Sequence, residues 1–344
     1  MNTTSFRLLF VSLALTPFLP LSGQTTYETP VAPKGLYLLN DRQTPVAQMT
    51  LPAFLSGFTL RVAWSDLETA SGAYNFALIG STITYLQAHN LKLTLDIFAS
   101  MPPSYVVKGA SSTFTNAYGT APTPWDPFAQ ARWQALLTAV SNYQVLDSST
   151  QRNVALRDHP TLTAVNAPVV GLQSVRDVTG ALVKKADYDR TTFINAVSAE
   201  VGFCRDAFPH DYRFIGFFRM SDCNGDTPLD QAVFNRLQTD FMAAGQGGLG
   251  LFQEIWSDAG PDPLGLGSFL VGVNAPNAVM LQALTSWKKP FTDPQKVASG
   301  NPDGALNNAY VNFGCRYFEV YYPDAVATDL QPVFTQWAAF LSTH

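Results

Sequence analysis

An α/β fold closed as a single (β/α)8 TIM barrel is predicted by three features of the 344-residue chain. Eight short runs rich in β-branched and aromatic residues recur along it, and segments of helical periodicity fall between them. No glycine-rich phosphate loop follows the first run, as a doubly wound nucleotide-binding sheet would require. A hydrophobic fraction of 47% against 14% charged supplies ample core for one domain over 33–344.

The chain opens with a targeting pattern. Arg7 precedes an apolar run at 8–21, broken by Pro17 and Pro20, and Ser22-Gly23 offers small residues for cleavage. This predicts a removable signal peptide over 1–23, because a membrane helix needs ~20 apolar residues without such breaks. No later run is long and apolar enough to span, so the mature chain is expected to be secreted or periplasmic. A polar, proline-containing lead-in occupies 24–34.

The barrel elements then follow. Strands are predicted at 35–40 (GLYLLN), 58–64 (FTLRVAW) and 91–99 (LKLTLDIFA). A helix at 76–89, striped by Ile79, Ile83 and Leu86, separates the last two. A long loop at 100–127 ends in the turn Trp125-Asp126-Pro127, and a helix at 128–143 shows Trp133, Leu136, Leu137 and Val140 on one face. The fourth strand is expected at 162–171, bent at Pro168, which removes a ladder donor. A helix at 187–207 capped by Asp187 comes next. The remaining strands are predicted at 214–220, 250–256, 278–284 and 315–322, and an amphipathic helix at 330–341 closes the chain. No internal repeat or low-complexity linker interrupts the series.

Charge and cysteine usage narrow the function classes. A net charge of −5, with lysine pairs only at Lys184-Lys185 and Lys288-Lys289, offers no basic patch for nucleic acid. The chain has four histidines, none at ligand spacing to another histidine or cysteine, so neither a zinc-type metal site nor another cofactor is expected. Export permits one disulfide, Cys204 to Cys223, leaving Cys315 as a buried thiol in an apolar strand.

The stretch 58–76, FTLRVAWSDLETASGAYNF, carries a resemblance. It is similar to the second βα unit of clan A glycoside hydrolases of the β-galactosidase and cellulase type. In that unit an arginine and a tryptophan close the strand, and a DLE…G.YNF phrase leads into the helix. The resemblance extends over most of 35–324. It implies an active site at the strand carboxyl ends, carbohydrate as partner, and catalytic acids after the fourth and seventh strands. The sequence departs from that pattern at both places. Asn166-Ala167 stands where an Asn-Glu pair would be expected, followed by Gln173, Arg176 and Asp177, and the seventh strand offers Gln282 and no acid. Glutamine binds hydroxyls but cannot donate a catalytic proton or attack an anomeric carbon.

In a barrel of this kind the polar residues at strand ends are the site candidates. Arg61, Trp64, Asp96, Trp125, Asn166, Gln173, Arg219, Trp256, Gln282 and Tyr321 are therefore expected to bind substrate, with flat rings to stack on sugars. Barrel aromatics such as Trp256 can equally be core. Glu254 in LFQEIW and Glu319 in CRYFEVYY are acids inside apolar strands, costly there unless something compensates. One reading makes them the catalytic pair of an exported glycoside hydrolase-like protein acting on O-glycosidic bonds. Glu254 is then the acid with raised pKa, and Glu319 the ionised member. The other makes Glu319 a buried acid tied to Arg61 or Arg219, in a carbohydrate-binding barrel without catalysis. A structural surface protein fits poorly with strand ends so rich in Trp, Gln, Arg and acids.

Overall fold

The computed structural model describes residues 26–39, 45–116, 119–172, 180–222, 228–256, 267–273, 275–283, 285–288 and 301–344. The predicted signal segment lies outside them. Eight parallel strands close a barrel: β1 (Gly35–Leu39), β2 (Gly57–Ala63), β3 (Lys92–Phe98), β4 (Leu162–Asn166), β5 (Tyr212–Gly216), β6 (Gly250–Trp256), β7 (Val279–Ala283) and β8 (Tyr317–Tyr321). Each pairs with the next in sequence and β8 returns to β1, which makes this a (β/α)8 TIM barrel.

Period-two alternation builds its two cores. Leu36, Leu38, Phe58, Leu60, Val62, Leu93, Leu95, Ile97, Phe318 and Val320 belong to the large cluster between sheet and helices. Tyr37, Ala164, Tyr212, Phe214, Phe252, Met280 and Tyr317 form a second cluster that fills the lower barrel. The Tyr37 and Tyr317 rings lie 4.5 Å apart. Gly57 makes room for them, since a Cβ there would stand 2.3 Å from the Tyr37 ring.

The outer helices are α1 (Ala77–Ala88), α2 (Pro127–Ser141), α3 (Arg190–Ala207), α4 (Leu229–Leu237), α5 (Pro302–Phe313) and α6 (Gln331–Thr343). Starts are fixed locally: Asp126 accepts the Ala129 N–H at 2.9 Å, and Asn301 that of Asp303 at 3.0 Å. Pro follows each of these caps, where its missing donor costs nothing.

Several boundaries differ from expectation. The fourth strand ends at Asn166, because Pro168 cannot donate to the ladder and the chain leaves the sheet after Ala167. The fifth begins at Tyr212, since Tyr212 and Phe214 are both needed to fill the interior. Asp189, not Asp187, caps α3, accepting the Thr192 N–H at 2.7 Å. The 100–127 loop contains a helical turn, Ser104–Gly109, and a hairpin of Thr113–Asn116 with Gly119–Pro122. The expected Cys204–Cys223 pairing is not made. Cys204 is a buried free thiol on α3 facing the Asn166 carbonyl, and Cys223 lies outside the described residues. Cys315 is buried and free as expected.

A strap before β1 covers the amino end of the barrel. Tyr27 N donates to the Gly245 carbonyl at 2.8 Å, and its ring lies 3.7 Å from the Arg205 guanidinium. Nearby, the fully buried Arg213 donates to the carbonyls of Phe208 and Asp211, 2.8 Å each, and of Gly247. No described helix is long and apolar enough to cross a membrane.

Candidate functional site

Alternation along β2 sends Thr59 and Arg61 into the barrel, while Phe58, Leu60 and Val62 join the outer core. Arg61 stands beside Asp96 of β3, and Glu319 of β8 stands beside Gln282 of β7. These four side chains, with Glu254 of β6, meet at the carboxyl end. Arg61 Nε lies 3.3 Å from Asp96 Oδ2, and its Nη2 lies 3.5 Å from Glu254 Oε1 and 3.6 Å from Glu319 Oε2. Nη2 also donates to Gln282 Oε1, whose Nε2 donates to the Tyr321 hydroxyl at 2.8 Å. Asn166 Nδ2 completes the ring by donating to Asp96 Oδ1 at 2.5 Å, while Asn166 Oδ1 has no bonded partner among the described residues.

The two glutamates differ in depth. The Glu319 side chain is 1% exposed and that of Glu254 is 12%. Glu319 Oε1 accepts the hydroxyls of Thr59 and Tyr317, each at 2.8 Å. Burial raises its pKa to about 7, against the lowering effects of Arg61, Thr59 and Tyr317. The expectation that Glu319 is the ionised member is therefore corrected: desolvation at its depth outweighs the arginine. Burial also works against the charge of Arg61, but Glu254, Glu319 and Asp96 together hold it firmly protonated.

Of the other sequence candidates, Trp64 is not in the mouth. It is fully buried against Trp133, ring centroids 5.1 Å apart, and its indole donates to Glu68 Oε2 at 3.0 Å. Arg219 pairs with Asp230 at 3.1 Å and lies over the Phe269 ring, 5.4 Å from its centroid. Trp125 sits on the rim, its indole donating to Asp187 at 3.2 Å and its ring edge-on to Tyr188. Gln173 lies outside the described residues, as does the side chain of Trp256, whose backbone pairs with Ala283.

Two groups escaped the sequence reading. Thr59, Thr94 and Tyr317 form a hydroxyl floor beneath Glu319, with the Thr94 and Tyr317 hydroxyl oxygens 3.1 Å apart. Their signal was positional, since Thr59 and Tyr317 stand two residues before Arg61 and Glu319 on the same face. The second group is a clamp on the family-like phrase. Glu68, fully buried, accepts from Trp64, from the Gly72 N–H at 2.9 Å, and from Arg132 of α2. Burial opposes its charge, yet bonds from Gly72, Trp64, Tyr105 and Arg132 bring its pKa below the ordinary value. Nothing local distinguishes this structural glutamate from a catalytic one.

No protein-family model and no curated protein matches the chain. Solved structures do match its fold. The endo-1,4-β-mannanase from Rhizomucor miehei superposes with a TM-score of 0.56 over 94% of this chain and 97% of that one, at 14% identity. The β-galactosidase from the psychrophilic Marinomonas ef1 gives a TM-score of 0.55 over 90% of this chain and 59% of that one, at 11% identity. The chain thus has the fold of glycoside hydrolase TIM barrels.

Proposed function

We propose that this chain is an exported carbohydrate-binding barrel in which Arg61 fills the space a catalytic carboxylate pair would need. The supporting observation is the placement of one nitrogen, Arg61 Nη2, 3.5 Å from Glu254 and 3.6 Å from Glu319. Glycosidic cleavage requires the scissile bond, and in inverting enzymes a water as well, between the two acids. Here a guanidinium stands there. The surrounding amide and hydroxyl groups of Gln282, Asn166 and Tyr321 suit sugar hydroxyls, and Trp125 on the rim adds a flat ring. Export follows from the leader at 1–23, and recovery of the protein from medium or periplasm with an N-terminus near residue 24 is the check.

A second reading, hydrolysis by Glu254 and Glu319, draws on the raised pKa of Glu319, a property suited to a proton donor. Titration with β-linked manno-, cello- and galacto-oligosaccharides, alongside a reducing-end assay, separates the two. Binding without release of reducing ends is expected. Release that falls ~10²-fold or more in Glu254→Gln or Glu319→Gln would restore the hydrolase.

A further inference from the structure

Glu200 lies on α3 with its carboxyl fully buried, outside the Arg61 group. Its Oε2 accepts the Val170 N–H at 2.5 Å, and its Oε1 faces Gln130 Nε2 of α2 at 3.4 Å. The same Nε2 donates to the Pro124 carbonyl at 2.9 Å, one residue before Trp125. Val170 belongs to the segment leaving β4, and Pro124 to the loop leaving β3. Both lie at the carboxyl end, and Gly171 N bonds the Ala99 carbonyl at 3.2 Å, so the two segments touch. One buried carboxyl therefore reaches two walls of the mouth, one directly and one through a single amide.

We propose that Glu200 is a pH-sensitive positioning residue, a latch whose protonation state sets how firmly the Trp125 loop is tied to the segment after β4. As a carboxylate it accepts from both Val170 and Gln130, and Gln130 keeps its second N–H on Pro124. As a neutral acid it carries an O–H that needs an acceptor, because a buried donor without one costs ~1–3 kcal/mol. Gln130, whose side-chain amide faces the carboxyl, can supply that acceptor by presenting its oxygen instead. Turning the amide to present it brings oxygen toward the Pro124 carbonyl and removes the bond that held the loop.

The surroundings place the change near neutrality. Burial, opposed by Val170 and Gln130, raises the Glu200 pKa to about 8. Charged groups on neighbouring elements are engaged elsewhere. Arg132 of α2 is on Glu68, and Arg213 of β5 is on backbone carbonyls. On α4, Asp230 takes Arg219 and Arg236 takes Asp240. On α3 itself Arg190 pairs with Asp222, and Arg205 with Asp206 and the Tyr27 ring.

The consequence for ligand rests on the carbohydrate reading, but the latch is read without ligand. Hydrogen exchange of the whole protein, corrected for intrinsic rate, is compared at pH 6.5 and 9. In the wild type, protection of 110–126 should rise about tenfold at pH 9, the worth of roughly one hydrogen bond. Glu200→Gln should remove that response, and Gln130→Leu should remove it from 110–126 while sparing 167–172. Equal protection at both pH values, or an unchanged response in Glu200→Gln, overturns the latch. Should Glu200→Gln not fold, a response persisting at 110–126 in Gln130→Leu overturns it instead. A normal exchange response together with failure to bind any of the manno-, cello- and galacto-oligosaccharides leaves the latch standing and removes the carbohydrate reading.

Discussion

Two arginines, one fully buried at the amino end of the barrel and one largely buried at the carboxyl end, solve the same problem with different partners. Arg213 at the amino end gives its protons to the backbone carbonyls of Phe208, Asp211 and Gly247, groups that neither titrate nor move independently of the fold. Arg61 at the carboxyl end is surrounded by Asp96, Glu254, Glu319 and Gln282, all side chains, two of them more than a tenth exposed counting its own. Burial lowers the pKa of Arg213, whereas three acids hold that of Arg61 up. The first arrangement serves stability; the second can respond to pH or to a ligand offering hydroxyls. Position in the barrel, not residue type, separates an arginine held by backbone carbonyls from one held by acids.

The largest effect should come from Arg61→Met. Removing one partner of a buried ion group leaves uncompensated charge and costs ~3–5 kcal/mol. At pH 8 denaturant unfolding should show that loss, and below about pH 5 it should shrink as the stranded acids take up protons. Arg213→Met should cost about 3 kcal/mol by leaving three carbonyls without donors, with a smaller pH dependence than Arg61→Met because one acid, Asp211, rather than three loses its charged neighbour. Equal pH profiles for the two variants would erase the distinction drawn between the two ends.

Glu319→Gln sharpens the same contrast. The folded pKa of about 7 lies above the ordinary value of 4.5, so the folded state keeps a proton that the unfolded chain releases. Its stabilising contribution is complete below the ordinary value and is lost as pH rises toward 7. The wild type should thus lose on the order of 1–3 kcal/mol across that window, and the variant should be flatter. A wild-type stability that rises over the window would contradict the buried, raised state of Glu319. The smallest effect is expected from Trp64→Phe, which should lower stability by ~1–2 kcal/mol through the lost bond to Glu68. Carbohydrate affinity should stay within about twofold, and a larger loss would return Trp64 to the site.

How much of this was legible in the sequence depended on whether the cause was local. The strands were visible because β-branched runs and period-two burial are written residue by residue, and Pro168 and Asp126 act on their immediate neighbours. The meeting of Arg61, Asp96, Glu254, Gln282 and Glu319 was legible as a set of strand-end residues, since closure brings such positions together. Their partners were not. Whether Glu319 would face Arg61 or Arg219 depended on barrel register. Its raised pKa followed from a depth that its apolar neighbours hint at but do not specify. Trp64 was misplaced because the chain turns into a short helix at that residue and carries the indole behind the sheet.

The Glu68 clamp keeps the architecture of its βα unit separate from the barrel mouth. Its bonds run to Trp64, Gly72, Tyr105 and Arg132, and none runs to the Arg61 group. The clamp therefore secures one βα unit without bonding to Arg61, which stands on the strand leading into it. None of the clamp's bonds depends on which acids stand at the mouth. The family-like phrase thus marks architecture and is silent about turnover.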